Sequence, residues 1–296
     1  MKLFAPKYYE KFKCIASACR HSCCVNWEIR VDEESLEKYK GLSVSGKLII
    51  ETVDFTEEPH FRLCADGRCP HLNENGLCNI ICERGEEYLS EICREHPRFF
   101  NVVGDRCEVG LGAVCEAAAE IILDSDYTES YAAGEIELDG SETEFDTLGE
   151  REKIFALLSD RARPYAERLS AIYESYGVFP KRITDAEWRS LISELEYLSE
   201  DSREKFLAFT SDATVTPEQE IYLERALAYF IYRQVSPSES YAEFLSSLGL
   251  ALFLERLFAS LLAKGEADSP SLTLRLISEE IEYSEDNVEE IKLSML

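Results

Sequence analysis

The stretch "FKCIASACRHSCCVNWEI", residues 12–29, places four cysteines within eleven positions, two of them adjacent. A hydrophobic core does not need this density of thiols, so the sulfurs either pair with each other or hold a bound group. All 11 cysteines lie between Cys14 and Cys115, and the remaining 181 residues contain none. The thiols therefore define one part of the chain and constrain how that part folds.

The cellular compartment decides between these two uses of sulfur. The N-terminus has no apolar run typical of a signal peptide, and no stretch reaches the roughly 18 uninterrupted apolar residues of a membrane span. We therefore expect a cytoplasmic protein without a membrane segment, where disulfides do not persist. An odd cysteine count also disfavours a complete disulfide framework. Metal ligation or redox chemistry is the better interpretation.

The cysteine spacing indicates a thiolate metal site but does not choose the metal. Soft thiolates favour zinc or iron–sulfur clusters, yet neither the Cys-x2-Cys pairs of zinc knuckles nor a ferredoxin run occurs. Cys82 and Cys107 are equally compatible with buried core thiols, and the histidines of this region need no ligand role. The cysteines occur in two short-spaced groups and three later positions: Cys14, Cys19, Cys23 and Cys24, then Cys64, Cys69, Cys78 and Cys82, then Cys93, Cys107 and Cys115.

Periodicity predicts a mainly α fold with two parts. Residues 1–117 form a cysteine-rich, loop-rich N-terminal module, with a small β-hairpin around Gly104-Asp105 and a helix start at "VDEESLEKYKG". Residues 118–296 form a helical bundle body that follows an acidic linker near 131–146. Apolar positions three and four apart predict helices near 147–162, 164–176, 184–209, 216–235, 239–264 and 271–282.

Charge divides the chain at nearly the same place. Residues 1–115 carry a net charge of −4, whereas the rest carries −23 of the total of −27. Such acidity repels phosphate backbones and anionic lipids, which argues against binding of nucleic acid or membranes. It suits a basic protein partner or substrate, although acidity that only keeps the protein soluble explains the charge equally well.

Other catalytic signatures are weak. Gly110-x-Gly112 follows a possible strand and precedes a helix, so a cofactor could approach the backbone there. The motif lacks the third glycine and the βαβ surroundings of a dinucleotide site. We treat Gly110 and Gly112 only as candidate cofactor-binding residues.

Several segments resemble the flagellin lysine N-methylase family, which is related to small zinc- or iron-chelating cysteine domains. The first segment, residues 12–39, fits the family's cysteine cluster ending in Cys-Cys-x-x-Trp. "CPHLNENGLCNI" and "YLSEICREHPRFF" fit its Cys-Pro-x-Leu…Cys-x-Ile and Leu-x-x-x-Cys-x-x-x-Pro-Arg elements. "AVCEAAAEIIL" fits a Cys-Pro-Glu-Ala-Ala element, except that Glu116 directly follows Cys115 where proline is usual. Weaker likeness extends to "IYLERALAYFIYRQV" and to "ISEEIEYSEDNVEEI".

The resemblance implies an S-adenosylmethionine-dependent methyltransferase that acts on lysines of flagellin or another lysine-bearing protein, with a cysteine-held [4Fe-4S] cluster. On the helix of residues 216–235, Glu224, Tyr229, Tyr232 and Arg233 become candidate catalytic residues; an ordinary amphipathic helix is the alternative. Eight cysteines match the family pattern, more than one cluster needs, and the resemblance makes them the candidate ligands: Cys14, Cys19, Cys23, Cys24, Cys69, Cys78, Cys93 and Cys115. Cys64, Cys82 and Cys107 have no clear counterpart in the family. Two other classes stay open: a zinc-bound interaction module without catalysis, and a small redox iron–sulfur protein.

Overall fold

The computed structural model describes residues 1–104, 106–138, 145–178 and 184–295. The chain divides into two compact units. The helical unit comprises Met1–Phe12, Phe99–Val114 and Ala118–Leu296, and the cysteine unit comprises Lys13–Arg98 and Cys115–Ala117. This division differs from a boundary at residue 117, because the chain's first strand and the predicted hairpin belong to the helical unit. The mainly α fold with a small sheet content is confirmed.

The elements are short in the first third of the chain and longer after it. The strands are β1 (Lys2–Pro6), β2 (Ser43–Val44), β3 (Lys47–Leu48), β4 (Val53–Asp54), β5 (His60–Phe61), β6 (Arg98–Val103), β7 (Arg106–Leu111) and β8 (Ser130–Glu135). The α-helices are α1 (Glu33–Tyr39), α2 (Asn79–Arg84), α3 (Glu91–Glu95), α4 (Glu116–Asp124), α5 (Thr147–Leu158), α6 (Tyr165–Tyr176), α7 (Asp185–Glu194), α8 (Glu200–Leu207), α9 (Glu220–Gln234), α10 (Tyr241–Lys264), α11 (Pro270–Ile277) and α12 (Glu285–Ser294).

Single helical turns connect several of these elements. The 3-10 turns are Lys7–Lys11, Ala16–Ala18, Ile49–Thr52 and Glu86–Tyr88, and a π-helical turn, Ser278–Glu282, follows α11.

The cysteine unit has a small apolar core of its own. Tyr39 stacks on Phe61 with ring centres 5.9 Å apart, and Ile49 and Ile80 are buried in the same cluster. The imidazole of His71 packs edge-on against Phe61 and lies 3.0 Å from the Thr52 hydroxyl, so it has a packing role. The unit is therefore not organised by its thiols alone.

Asp32 joins two helix starts in the cysteine unit. Its carboxylate accepts a hydrogen bond from the Ser35 backbone N–H at 2.9 Å and caps α1, as the helix-start signature predicts. The second carboxylate oxygen accepts from the Glu91 backbone N–H at 2.8 Å, in the first turn of α3. One side chain thus fixes the position of the short helix that carries Cys93.

A four-stranded sheet in the helical unit has the order β6-β7-β1-β8. The predicted hairpin is present as β6 and β7, with Gly104 at a positive φ of 62°; Asp105 lies outside the described residues. β1 pairs parallel with β7 and antiparallel with β8. The prediction of a linker near 131–146 is wrong for residues 131–135, because β8 pairs with β1, which is more than 120 residues away in sequence. Residues 139–144 lie outside the described residues.

The helical unit is built around α9 and α10, which pack along each other. The predicted segments match α5, α6, α9, α10 and α11, whereas the segment 184–209 is divided into α7 and α8. The helix α12 was not predicted. Within the described ranges, α10 is the helix long and apolar enough to cross a membrane by length and composition, yet 89% of its apolar window is buried inside the protein. Burial of that extent is typical of a core helix.

Candidate functional site

All eleven cysteines are free thiols. Ten belong to the cysteine unit; Cys107 is fully buried on β7 of the helical unit, as expected for a core thiol. The expectation that Cys82 is also a core thiol is wrong, because it is exposed near the end of the short helix α2. The eight candidate ligands all lie in the cysteine unit.

Electrostatic interactions link six of the candidate thiols in pairs, and we call these six the thiol set: Cys14, Cys23, Cys24, Cys69, Cys78 and Cys93. The Cys23 thiol interacts with those of Cys14, Cys24 and Cys93. The Cys69 thiol interacts with those of Cys24, Cys93 and Cys78. These pairs connect thiols from three separate chain segments, residues 14–24, 69–78 and 93.

Backbone hydrogen bonds hold two of these segments together. The N–H of Cys69 donates to the Cys24 carbonyl at 2.8 Å, and an isolated β-bridge joins Val25 to Arg68 beside it. Cys78 precedes α2 and forms a second bridge with Leu72. This backbone pairing fixes Cys24 beside Cys69 and Cys78 beside Leu72.

Burial keeps most of the thiol set protonated. It raises the pKa of Cys69 to about 12 and that of Cys93 to about 11. The Cys23 thiol donates a hydrogen bond to the Cys24 sulfur, which raises the pKa of Cys23 and lowers that of Cys24 to about 7. A metal that binds here would replace these protons, because thiolates are the ligands.

The donor chemistry of the thiol set fits a soft metal, but the spacing does not fit a single ion. Among the described residues, no group of three or more His, Cys, Asp or Glu side chains is arranged so that it could hold one metal ion. A tetrahedral zinc with Zn–S bonds of about 2.3 Å needs its sulfurs about 3.8 Å apart. A cluster of several irons tolerates wider spacing, because each thiolate binds a different iron.

Glu116 organises the remaining candidate cysteines. Its carboxylate accepts hydrogen bonds from the Arg20 backbone N–H at 2.9 Å and from the Cys19 thiol at 3.9 Å, and it lies 3.1 Å from the His21 Nδ1 atom. Cys115 precedes it directly. The residue that stands where the family pattern has proline therefore ties the segment of residues 19–21 to the start of α4.

Glu224 on α9 is saturated by cationic and hydroxyl donors. Arg168 donates to Oε2 at 2.7 Å, Arg161 donates to Oε1 at 2.8 Å, and the Tyr127 hydroxyl donates to Oε1 at 3.1 Å. Glu224 is buried, with a side chain that is 2% exposed. An ion-paired carboxylate with no free access is suited to holding α9 against α6 rather than to receiving a substrate.

The two candidate tyrosines on α9 are also engaged with the protein. Tyr229 donates from its hydroxyl to Glu282 Oε2 at 2.6 Å and accepts from the Ala113 backbone N–H at 2.9 Å. Tyr232 donates to the Val109 carbonyl at 3.2 Å. Burial raises the pKa of both hydroxyls, so neither is a ready base.

Gly110 has a packing explanation. A Cβ atom built on this residue would lie 2.3 Å from the Phe99 Cζ atom, so the glycine leaves room for the aromatic ring on the neighbouring strand. Gly112 is buried directly after β7. A cofactor role for this pair stays a prediction.

Arg233 lines a cavity of about 450 Å³ in the helical unit. The guanidinium Nε atom lies 3.2 Å from Glu282 Oε1, and its carbon lies 4.9 Å from the ring centre of Phe99. Three acidic side chains at i, i+3 and i+7 of the C-terminal segment, Glu282, Glu285 and Glu289, also line the cavity. Sequence reasoning did not single them out, although Glu285 and Glu289, four residues apart on α12, share one helix face.

Comparison with known proteins gives partial matches of low identity. No protein-family model matches the chain, and no solved structure matches it significantly. Over 130 residues, 41% of this chain, it is 28% identical to a lysine-N-methylase of Salmonella typhimurium and equally to one of Salmonella choleraesuis. The match covers 32% of each of those proteins.

A third relative is shorter. The flagellar biosynthetic protein FliU of Salmonella muenchen is 28% identical over the same length, and the match covers 77% of that protein. These relatives support a relation to lysine N-methylases of flagellar context, in line with the resemblance seen in the sequence. Because the chain spans about a third of the length of the two methylases, their whole activity is not thereby assigned to it.

Proposed function

We propose that this chain is an S-adenosylmethionine-dependent lysine N-methyltransferase acting on flagellin, and that the thiol set holds a [4Fe-4S] cluster. The observation that carries methyl transfer is the 130-residue match to two proteins named lysine-N-methylase. The observation that supports the cluster is the set of six free thiols that interact in pairs across three chain segments. The cytoplasm is the compartment we propose, since a reducing environment keeps such thiols available.

The thiol set offers more sulfur than one cluster requires. A [4Fe-4S] cluster takes four thiolates when closed and three when one iron keeps an open position. Cys69, Cys78 and Cys93 would hold three irons, with Cys23 or Cys24 as the fourth ligand. When bound, the cluster would either cross-link the chain segments that hold it or offer an open iron position that can coordinate an amino or carboxylate group. The surplus thiols would then be packing or exchange partners.

Lysine methylation sets demands that the charge of the chain helps to meet. The substrate nitrogen must lose a proton before its lone pair takes the methyl carbon, and the C–S electron pair of the donor returns to sulfur. A net charge of −27 attracts a basic segment of a protein substrate and raises the rate of encounter. The same acidity stabilises the ammonium form, so the site must also desolvate the amine or provide a base. A flat acidic surface therefore cannot be the site.

Zinc receives less support than a cluster. The described thiols include no group of three arranged around one ion, and no Cys-x2-Cys pair occurs in the sequence. The zinc-bound module is therefore the alternative. Metal analysis of the purified protein decides between it and the cluster.

Anaerobic purification tests the proposal. We expect a brown protein with about four iron and four sulfide per chain, which transfers the methyl group of labelled S-adenosylmethionine to recombinant flagellin. Flagellin with its lysines replaced by arginine is the matched control substrate. A colourless protein loaded with zinc would remove the cluster, and a cluster-loaded protein that never labels flagellin would remove the methyltransferase.

A further inference from the structure

The cavity beside Arg233 has the size of a ligand site. Its volume of about 450 Å³ falls within the roughly 300–1,000 Å³ of small-molecule pockets. It lies wholly within the helical unit, where β6, the end of α9, the π-helical turn and α12 surround it. None of the contacts that explain Glu224 or Tyr232 uses it.

The inner part of the cavity presents a cation with an unused donor. Arg233 is 12% exposed and lies between two aromatic rings, 4.9 Å from the centre of Phe99 and 4.8 Å from that of Tyr283. Its Nη1 atom is buried and has no hydrogen-bond partner among the described residues. An unsatisfied buried N–H costs about 1–3 kcal/mol, and a turn of the guanidinium toward the cavity that Arg233 lines would let a ligand oxygen accept from it.

Glu282 neutralises Arg233 and already accepts hydrogen bonds through both of its carboxylate oxygens. Its Oε2 atom accepts from the Tyr229 hydroxyl at 2.6 Å, and its Oε1 atom accepts from the Gln234 amide at 2.7 Å. Gln234 keeps its amide oxygen as an acceptor. The inner end is thus closed to a second cation, whereas the guanidinium can still bind an anion.

The outer part of the cavity has the opposite charge. Glu285 and Glu289 are exposed, lie one turn apart on α12, and form no ion pair in the part of the chain that the structure describes. Two carboxylates at i and i+4 repel each other by a few tenths of a kcal/mol. Lys292, one turn further, also lines the cavity, and burial lowers its pKa. A ligand cation between the two carboxylates would relieve their repulsion.

We propose that this cavity binds the α-amino-acid end of the methyl donor, with its carboxylate toward Arg233 and its ammonium between Glu285 and Glu289. The inference rests on the proposed function and deepens it. A zwitterion that enters carboxylate first matches the polarity of the cavity from the inner to the outer end. A lysine side chain would enter ammonium first and meet the Arg233 guanidinium. Phe99 and Val288 provide apolar surface for the methylene carbons.

Calorimetry with S-adenosylmethionine on the anaerobically purified, full-length protein tests the assignment. Glu285→Gln and Glu289→Gln should each weaken binding about tenfold, and Arg233→Met should weaken it about 10–100-fold, the range of a lost charge-assisted hydrogen bond. Glu290→Gln is the matched control, because Glu290 is an exposed acid of the same helix that does not line the cavity. It should change affinity less than twofold.

Decarboxylated S-adenosylmethionine separates the carboxylate contact from general charge effects. The parent protein should bind it more weakly than S-adenosylmethionine, and Arg233→Met should bind both with equal affinity. If circular dichroism shows that Arg233→Met does not fold, the assignment is tested by the two glutamate variants. The parent protein's preference for S-adenosylmethionine over the decarboxylated form then tests the carboxylate contact.

The outcomes distinguish the two proposals. A parent protein that binds no S-adenosylmethionine overturns the proposed function and the cavity assignment together. A parent protein that binds it while all cavity variants stay within twofold overturns the cavity assignment alone and directs the search to the thiol set. An equal loss in Glu290→Gln also overturns the cavity assignment, because it shows a general charge effect.

Discussion

Replacing Glu224 with glutamine tests whether this residue holds the fold or performs catalysis. The change keeps the shape of the side chain and removes its charge. Arg168, which is 7% exposed, then loses the partner that its Nη1 atom contacts at 2.7 Å. The glutamine amide has one acceptor oxygen and one donor nitrogen where glutamate has two acceptor oxygens. It therefore cannot accept from Arg161, Arg168 and Tyr127 as the carboxylate does.

The structure sets the size of the effect. Breaking a buried ion pair by removing one partner costs about 3–5 kcal/mol, because the other charge stays buried. Glutamine retains one acceptor oxygen, so we expect a loss near 3 kcal/mol in the free energy of unfolding. For a unit of this size the midpoint of thermal unfolding should fall by roughly 6–12 °C.

Arg161→Gln and Arg168→Gln provide an internal calibration. Arg161 is 46% exposed, so solvent screens its ion pair and its loss should cost under about 1 kcal/mol. Arg168→Gln should approach the cost of Glu224→Gln. In urea titrations followed by circular dichroism, a double variant with leucine at 168 and 224 should lose clearly less than the two single leucine variants added together.

One result would refute this reasoning. If Glu224→Gln unfolds at the same urea concentration as the parent protein and yet no longer methylates flagellin, Glu224 acts on the substrate and its ion pairs are secondary. A variant that loses stability and activity in parallel, with activity recovered at low temperature, agrees with a structural role.

Three further changes have distinct expected outcomes. Cys93→Ser should lower iron and sulfide content at least twofold, whereas Cys64→Ser, an exposed thiol of the same unit, should leave it unchanged; equal content in both would contradict the thiol set. Gly110→Ala should cost about 1–3 kcal/mol by overpacking the Phe99 ring, and a Phe99→Leu background should recover part of it in urea titrations. Burial raises the pKa of Glu255 above its unfolded value. Its stabilising contribution is therefore complete below that unfolded value, near 4.3, and is lost as pH rises through the folded pKa. Glu255→Gln should thus stabilise the protein more at pH 7 than at pH 5, and denaturant midpoints at the two pH values measure this.

The helices were predictable because their burial follows the chain's own periodicity. In α10 the apolar residues are dense enough to indicate a core helix, and α6 shows one apolar face. The strand β8 was not predictable, since "SYAAGE" has little strand character and depends on β1 for its pairing. The division of 184–209 at residues 195–199 also depends on tertiary contacts: the Asn287 amide oxygen accepts from the Glu196 backbone N–H at 2.8 Å.

For the candidate site, too, sequence predicts features that depend on local spacing and misses those that depend on tertiary contacts. That most cysteines share one compact unit was predictable from their concentration in one part of the sequence, whereas their role as ligands stays a prediction. The role of Glu224 was not readable, because its partners Arg161 and Arg168 stand more than 50 residues earlier and belong to other elements.

Whether a carboxylate on a helix acts as a base or stabilises the fold depends on the groups that other elements bring into contact with it. On α9 the fold places two arginines in front of Glu224, whereas two turns later it leaves a guanidinium N–H of Arg233 without an acceptor. Polar groups whose hydrogen bonds are all made stabilise the fold. Buried polar groups without a partner beside a cavity are the ones that gain a hydrogen bond when a ligand binds. For this reason the search for the methyl-donor site moves from Glu224 to the cavity at the C-terminal end of the same helix.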